Sequence, residues 1–259
     1  MKKSLILLVS LTALAVLGYA QTAADHIMAG DEAYAQFDDQ KALEHYQEAL
    51  KVEPENYEAL WKASRACVDI ADVMPGGEKV AQARQKLYTQ GTDLAEKAVK
   101  ANPNDTWGHF QVAAALGKKL LMLGKKEQID GSKKVRAEID KAIELDPTND
   151  LGYHALGRWH RRMAEIGGAS RFFGGILYGS IPKGSFEESE KNLKKAADMK
   201  PEFVNHHLEL GKTYVSLKKY DLAAAEFQKA IDLPKTTSKD DVLKTEAQAE
   251  LAKIKGKTK

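Results

Sequence analysis

The sequence offers little to support a disulfide or a nucleic-acid interface. Its 259 residues include a single cysteine, Cys67, so no disulfide can form within the chain. Cys67 falls where a first helix would face its partner, which favours a small buried hydrophobe over a reactive thiol that would need an activating base. Lys and Arg number 39 against 37 Asp and Glu, with the two signs mixed along the chain. Nucleic-acid binding depends on neutralising phosphates, so we expect no nucleic-acid partner.

Motifs of catalysis and metal binding are also missing. The sequence contains no GxSxG, no GxGxxG after a strand, no phosphate-binding loop, no HExxH and no CxxC. Seven histidines are present, but no pair has ligand spacing with a third partner. His206 and His207 are adjacent and diverge on a helix, and His154 and His160 diverge as well. The sequence therefore predicts a protein that is not an enzyme and uses no metal or cofactor.

The one long apolar run lies at the N-terminus. A basic start and the mostly apolar stretch 5–17 are followed by small residues that end at Ala20. This pattern predicts a secretory signal peptide over 1–20, cleaved between Ala20 and Gln21. An uncleaved anchor is the alternative, but spanning a bilayer takes roughly 18–20 apolar residues. We expect a periplasmic or secreted protein, formally neutral once its leader is removed, with no transmembrane span in the mature chain.

A helical repeat is clearest in the segment 204–234. Its marker residues are Leu210, Gly211, Tyr214, Ala223, Phe227, Ala230 and Pro234. This spacing matches the tetratricopeptide repeat, a helical hairpin of about 34 residues that stacks into arrays. A proline follows a short apolar helix at Pro54, Pro103, Pro147, Pro201 and Pro234. Because proline cannot extend a helix, each of these ends a hairpin. The predicted fold is an all-α, tetratricopeptide-like helical-hairpin solenoid.

The predicted repeat domain covers 21–259. Its hairpins span about 23–56, 57–105, 106–149, 150–203 and 204–234, and a capping helix over 239–255 covers the last one. Three hairpins exceed the repeat length. The second is predicted to have an elongated second helix after a loop, and the third a lengthened first helix that Gly124 ends. Ser238 with Asp241 resembles a capping box at the start of the last helix.

The excess in the fourth hairpin is both apolar and rich in glycine. Six Gly residues and one Pro between 163 and 185 argue against a single regular helix. Its apolar residues argue against a plain solvent loop: Phe172, Phe173, Ile176, Leu177, Tyr178 and Ile181. Long ordered loops are commonly functional. This insertion is expected to pack on the concave face, to line a pocket or to touch a membrane, and packing is the commonest fate of an aromatic stripe.

A basic cluster precedes the insertion. Arg158, Arg161 and Arg162 share one helix face, with Arg171 nearby. Their guanidinium groups can hold a carboxylate or phosphate bidentately. In the alternative interpretation they pair with the following carboxylates and hold the insertion against the helix: Glu165, Glu187, Glu188 and Glu190. The candidate ligand- or partner-binding residues are Arg158, Trp159, Arg162, Arg171, Phe172, Phe173, Leu177 and Tyr178.

The C-terminal half resembles the regulator of microtubule dynamics protein family. The matching residues are His154, Leu156 to Trp159, Arg171, Tyr178, Gly179, Pro182, Ser185 to Glu188, Leu210 to Lys212, Tyr214 and Pro234. The resemblance implies an all-helical repeat domain with a long insertion in one hairpin. It also implies a link to microtubules, membranes and organelle contacts, with lipid binding in some members. An exported chain is not expected to meet microtubules, so we carry over the fold and a groove for an apolar or anionic ligand.

These observations lead to two expected functions. Stacked hairpins create a concave groove, so the leading expectation is a non-catalytic binding or scaffold protein that holds a protein segment, a peptide or another ligand there. The alternative is a lipid-binding or membrane-contact protein that uses the apolar insertion 171–182. An insertion lining a closed apolar cavity favours the lipid, and an insertion plugging the groove favours a scaffold.

Overall fold

The computed structural model describes residues 21–258, and every regular element in this part of the chain is a helix. The signal peptide predicted over 1–20 lies outside the described residues, as do five side chains of the fourth hairpin, those of Ala169, Ser170, Phe172, Phe173 and Tyr178. The helices are α1 Ala23–Ala35, α2 Asp39–Val52, α3 Tyr57–Val73, α4 Glu78–Ala101, α5 Thr106–Leu120, α6 Lys125–Leu145, α7 Asp150–Ala164, α8 Gly168–Tyr178, α9 Phe186–Met199, α10 Val204–Ser216, α11 Tyr220–Asp232 and α12 Asp240–Ile254. The all-α prediction is confirmed.

The helices pair into five hairpins that stack side by side. The pairs are α1 with α2, α3 with α4, α5 with α6, α7 with α9, and α10 with α11. Helix α8 belongs to the connection between α7 and α9, and α12 packs on α10 and α11. First helices also contact one another, α3 with α5, α5 with α7, and α7 with α10. The first helices therefore form the inner layer of the solenoid, and the second helices form the outer layer.

Small residues let the two helices of each hairpin approach closely. Ala42, Ala98, Ala142 and Ala196 have no exposed surface. In the fifth hairpin, a Cβ added at Gly211 would lie 2.5 Å from Cε1 of the buried Phe227 ring. Only glycine leaves that ring its space, because protein interiors are packed to crystal-like density.

Prolines and side-chain caps set the helix ends. Helices α2, α4, α6, α9 and α11 each end two residues before a proline of the repeat pattern. Side-chain oxygens accept hydrogen bonds from backbone N–H groups in the first turns of six helices: those of Thr22, Asp38, Asn56, Asp105, Asn149 and Ser185. Such caps satisfy donors that the helix itself leaves free. Both signals are local, which explains why the sequence reveals them.

The elongated second helix expected in the second hairpin is present as the 24-residue α4. The expectation for the third hairpin is wrong. Helix α5 ends at Leu120, and the excess length belongs to the 21-residue α6. Hydrogen bonds from the N–H groups of residues 121–123 to carbonyls three residues earlier tighten the chain there. Gly124 then adopts an extended conformation and starts α6 instead of ending α5.

The capping box predicted for α12 is also wrong. Ser238 donates its hydroxyl to the carboxylate of Asp39 in the first hairpin. Asp240 instead accepts hydrogen bonds from the backbone N–H groups of Thr236 and Thr237, at 2.7 and 2.9 Å. Ser238 therefore bonds to a residue that is distant in the sequence. A local capping pattern cannot predict such a contact.

The insertion of the fourth hairpin is part helix and part extended chain. Helix α8 covers Gly168–Tyr178, and residues 179–185 run on without regular structure to α9. The prediction against one regular helix holds for the insertion as a whole, although its first part is helical. Ile181 is buried, whereas Ile176 and Leu177 are 68% and 71% exposed.

Two further expectations concern the environment of Cys67 and helices that could span a membrane. Cys67 has no exposed surface, and burial raises the pKa of its thiol to about 12, as expected for a buried hydrophobe. Within 21–258, none of the helices combines the length and the apolar character that crossing a bilayer requires.

Candidate functional site

A cleft of about 660 Å³ opens on the inner layer of the solenoid, and we call it the inner cleft. Its walls come from α3, α4, α5, α7, α10 and α12 and from residues next to their ends. Charged residues dominate the lining: Asp72, Arg84, Lys118, Arg158, Arg161, Arg162, Glu165, Glu209, Lys212, Lys239, Glu246 and Glu250. Seven of these are Lys or Arg and five are Asp or Glu, so the cleft is formally positive. None of the described side chains of the insertion 171–182 lines this cleft.

Glu209 is the anion at the centre of the inner cleft. Its buried carboxylate accepts a hydrogen bond from Arg161 and lies 3.5 Å from Nε of Arg158 and 3.1 Å from Nζ of Lys212. Burial alone would raise the pKa of this carboxyl group, but the three cations lower it further than burial raises it. Glu209 therefore stays ionised and orders the arginines of α7 against α10.

A second charged group joins α3 to α5 and to the start of α12. Lys118 Nζ lies 2.7 Å from the carboxylate of Asp72, and Lys239 Nζ lies 2.6 Å from that of Asp69. Burial works to lower the pKa of Lys239, but the carboxylates of Asp69 and Asp72 outweigh it and raise that pKa. Burial works to raise the pKa of Asp72, and Lys118 and Lys239 lower it overall.

Two histidines form a buried pair beside the inner cleft. Nδ1 of His154 lies 3.0 Å from Nδ1 of His206, and Nε2 of His206 lies 2.8 Å from the carboxylate of Asp150. The contacts are satisfied when His206 donates to Asp150 and accepts from His154. Burial lowers the pKa of both rings, and for His154 the nearby His206 and Arg158 lower it further. Sequence reasoning missed this pair, because 52 residues separate its members.

The two candidate arginines of α7, Arg158 and Arg162, both line the inner cleft, and they differ in whether they are paired. Arg162 is exposed and makes no hydrogen bond or ion pair with the described residues. Of the expected carboxylate partners only Glu165 pairs with this cluster, 3.3 Å from Arg161, and Glu209 is the partner that the sequence did not indicate.

Three other candidate residues do not line the inner cleft: Trp159, Arg171 and Leu177. Trp159 is buried against α6, where its indole N–H donates to the carbonyl of Ser132 at 3.0 Å. Arg171 donates to the carbonyls of Met163, Ile181 and Pro182 and so holds the insertion against α7. Leu177 is exposed on α8. Phe172, Phe173 and Tyr178 have side chains outside the described part of the structure.

Three aromatic side chains form a second feature of the inner layer, the aromatic shelf, made of Trp61, Trp107 and Phe110. The two indole rings, from α3 and α5, stack with centroids 5.2 Å apart and planes 16° apart. Phe110 meets Trp107 edge-on, with centroids 6.2 Å apart. All three are half-buried. The sequence signal that could have indicated this shelf is a tryptophan within the first two turns of each of two consecutive first helices, α3 and α5.

Metal binding needs several ligand side chains directed at one point. Within residues 21–258, no group of three or more His, Cys, Asp or Glu side chains has an arrangement that could hold a metal ion. In the pair of His154 and His206, both Nδ1 atoms and Nε2 of His206 are taken up by the hydrogen bonds described above.

Stacked helical hairpins with a first-helix inner layer define a tetratricopeptide-type solenoid protein. The crystal structure of TTC0263, a thermophilic TPR protein of Thermus thermophilus, aligns with this chain at a TM-score of 0.62. The alignment covers 89% of this chain and 99% of the other at 17% identity, so it shows the shared fold alone. It confirms the predicted solenoid.

The sequence comparisons identify the family. Residues 26–255 match the family of regulator of microtubule dynamics proteins 1–3, and the chain belongs to this family. Regulator of microtubule dynamics protein 1 of Bos taurus is 30% identical over 196 residues, which are 75% of this chain and 61% of the bovine protein. The Caenorhabditis elegans protein of that name is 27% identical over 75% of this chain and 84% of its own length. The resemblance seen in the sequence is confirmed, although the chain spans less than two thirds of the bovine protein.

Proposed function

We propose that this chain is a non-catalytic binding protein that holds a segment of a partner protein along its inner layer. The inner cleft is the observation that carries this proposal. Its central charges are already paired around Glu209, whereas the guanidinium group of Arg162 is exposed and makes no pair with the described residues, and the side chain of Arg158 is 28% exposed. A bound segment offers carbonyl and carboxylate oxygens, which guanidinium groups bind with defined geometry.

Site-specific photo-cross-linking in the native host tests this proposal. A photoreactive phenylalanine analogue at Leu121, which lines the inner cleft and is 51% exposed, should cross-link to one defined segment of a partner protein. The same analogue at Ala137, on the outer helix α6, is the control and should not give this product. Equal products from both positions, or none from Leu121, would contradict groove binding.

The proposed setting is the periplasm or the cell exterior. The basic start and apolar stretch of residues 1–20 support it. N-terminal sequencing of protein from its own host should find Gln21 as the first residue, and the protein should leave the cytoplasmic fraction. An intact Met1 on cytoplasmic protein would contradict export.

A second candidate is membrane contact through α8. The adjacent Ile176 and Leu177 are the most exposed large apolar side chains of the insertion among those described. Exposed apolar side chains of this kind favour an apolar partner such as a bilayer interface. Leu177→Ser and Phe172→Ser should then reduce sedimentation with phosphatidylglycerol-containing liposomes while helix content stays the same. Liposome binding that is absent, or equal in these variants, would remove this candidate.

A further inference from the structure

The aromatic shelf has a cation beside it that lacks an anionic partner. Arg65 lies one turn after Trp61 on α3. Its guanidinium carbon is 3.6 Å from the ring centroid of Tyr34 and 5.2 Å from that of Trp61. Arg65 makes no salt bridge with the residues that the structure describes. Its Nε is buried without a hydrogen-bond partner, so the terminal N–H groups are the part of this guanidinium that can reach an incoming carboxylate.

The carboxylates around Arg65 are those of Asp31, Asp39 and Asp69, and none of them forms a salt bridge with it. Burial raises the pKa of Asp39 although the charge of Arg65 lowers it, and one oxygen of Asp39 has no hydrogen-bond partner. Asp69 pairs with Lys239 and accepts from the Tyr34 hydroxyl, and Asp31 pairs with Lys62. Burial raises the pKa of Tyr46, and the charge of Arg65 and a side-chain hydrogen bond from it act to lower that pKa, but the hydroxyl that accepts this bond is neutral. The positive charge of Arg65 therefore has no paired anion in the described chain.

The shelf also offers hydrogen-bond donors that have no acceptor. The indole N–H groups of Trp61 and Trp107 make no hydrogen bond within residues 21–258, and neither is buried. In contrast, the indole N–H of Trp159 is bonded to Ser132. The shelf thus presents aromatic faces, two free N–H donors and one guanidinium group. Its chemical complement is an apolar group next to an anionic acceptor.

We propose that the aromatic shelf with Arg65 is the anchor site for a partner segment that carries an aromatic or large aliphatic side chain next to an acidic residue. The apolar side chain lies on the rings of Trp61 and Trp107, and the carboxylate accepts hydrogen bonds from Arg65. This inference rests on the proposed function and adds the chemistry of the bound segment. Tryptophan and arginine are among the residue types that dominate binding energy at protein interfaces.

A protein segment fits the shelf better than an acyl chain does. The three rings are half-buried on an open inner surface, and none of them lines the inner cleft. An acyl chain needs enclosure on most sides, whereas a side chain of a peptide needs one flat contact and one directional partner.

Peptide selection against the full mature chain tests the inference. A random heptapeptide phage library is panned on the protein, and the enriched peptides are synthesised. We expect an aromatic or aliphatic residue beside Asp or Glu, with binding lost when the acidic residue becomes Lys. Arg65→Gln and Trp107→Ala should each weaken binding by about tenfold or more. Arg136→Gln is the matched control, because Arg136 stacks on Trp159 in another part of the solenoid and should leave binding unchanged.

Nuclear magnetic resonance supplies a readout that needs no destabilising variant. The chain has three tryptophans, so the indole N–H signals of Trp61 and Trp107 should shift with peptide while that of Trp159 stays in place. Enriched peptides that are basic, or that leave both shelf signals unchanged and lose binding with Arg162→Gln, would overturn this inference but keep the proposed function. No enrichment over an unrelated protein would overturn both.

Discussion

The ammonium group of Lys239 lies 2.6 Å from the carboxylate of Asp69, although 170 residues separate them. Ser238 beside it donates to Asp39 of α2, so two consecutive residues tie the start of α12 to the first two hairpins. A solenoid whose repeats contact only their neighbours has two free ends. Here the segment after the fifth hairpin contacts the first two hairpins, and its Lys239 also lines the inner cleft.

Lys239→Met tests how much the contact between the start of α12 and the first two hairpins, here called the closure, contributes to stability. The variant leaves the buried Asp69 without its cation, and breaking a buried pair in this way costs about 3 kcal/mol. Urea unfolding followed by circular dichroism should show this loss. Lys235→Met is the control, since the Lys235–Asp241 pair is largely exposed and should change the free energy of unfolding by less than about 0.5 kcal/mol. Equal effects of the two substitutions would show that the closure does not stabilise the fold.

The pair of His154 and His206 makes stability depend on pH below neutrality. Burial lowers both pKa values from the ordinary 6.5, so the unfolded chain takes up protons first as pH falls. The stabilising contribution is full above pH 6.5 and is lost as pH drops toward the folded pKa values. The free energy of unfolding should fall between pH 7 and 5, by at most about 1.4 kcal/mol per pH unit for each proton.

His154→Gln separates this contribution from those of Asp72 and Glu209, whose lowered pKa values affect stability only below the ordinary values of 3.8 and 4.5. Denaturant titrations at pH 7.5, 6.0 and 5.0 should give a shallower pH dependence for this variant. His45→Gln on α2 removes a histidine outside the pair and should keep the wild-type slope. A slope that His154→Gln leaves unchanged would assign the pH dependence to other groups.

Gly211→Ala tests the packing that defines the repeat. The added Cβ would meet the Phe227 ring at 2.5 Å, and this ring is fully buried. Overpacking of this kind costs about 1–3 kcal/mol, which should lower the midpoint of thermal unfolding. Gly117→Ala on α5 is the control because its Cβ would meet nothing within 4 Å. That change should be neutral or stabilise by up to about 1 kcal/mol, since alanine favours helix.

Arg171→Ala tests whether one side chain holds the insertion in place. Arg171 donates to three carbonyls, those of Met163, Ile181 and Pro182. Each such charged hydrogen bond contributes about 1.5–3 kcal/mol, so its loss should speed limited proteolysis within 179–185 by about tenfold or more. Helix content should not change. Arg162→Ala, which removes an arginine with no partner in the described chain, should leave the rate of cleavage in the insertion as in the wild type.

The hairpins were predictable because their signals are local. Prolines two residues after each second helix and glycine opposite a ring, as at Gly211, act within one repeat. The sequence also predicted which hairpins are lengthened. In the third hairpin the extra length was assigned to the first helix, although it lies in the second. The turn before Gly124 depends on how α5 packs, and apolar spacing continues through it unchanged.

The site was predictable only in part. The sequence indicated Arg158 and Arg162, and both line the inner cleft. It did not indicate Glu209, which lies 48 residues from Arg161, or the stacking of Trp61 on Trp107 across two hairpins. These contacts depend on the rotation between consecutive hairpins. Residue spacing within one hairpin does not predict that rotation.

The sequence by itself determined a solenoid of five helical hairpins and the residues that pack inside each one, since those contacts join residues of one repeat. Only the tertiary structure decided which charges meet, as Lys239 meets Asp69, and which faces stay open, as the aromatic shelf does. The reason is cumulative geometry. Small rotations between repeats add up along the array, and their sum brings residues 170 positions apart into contact.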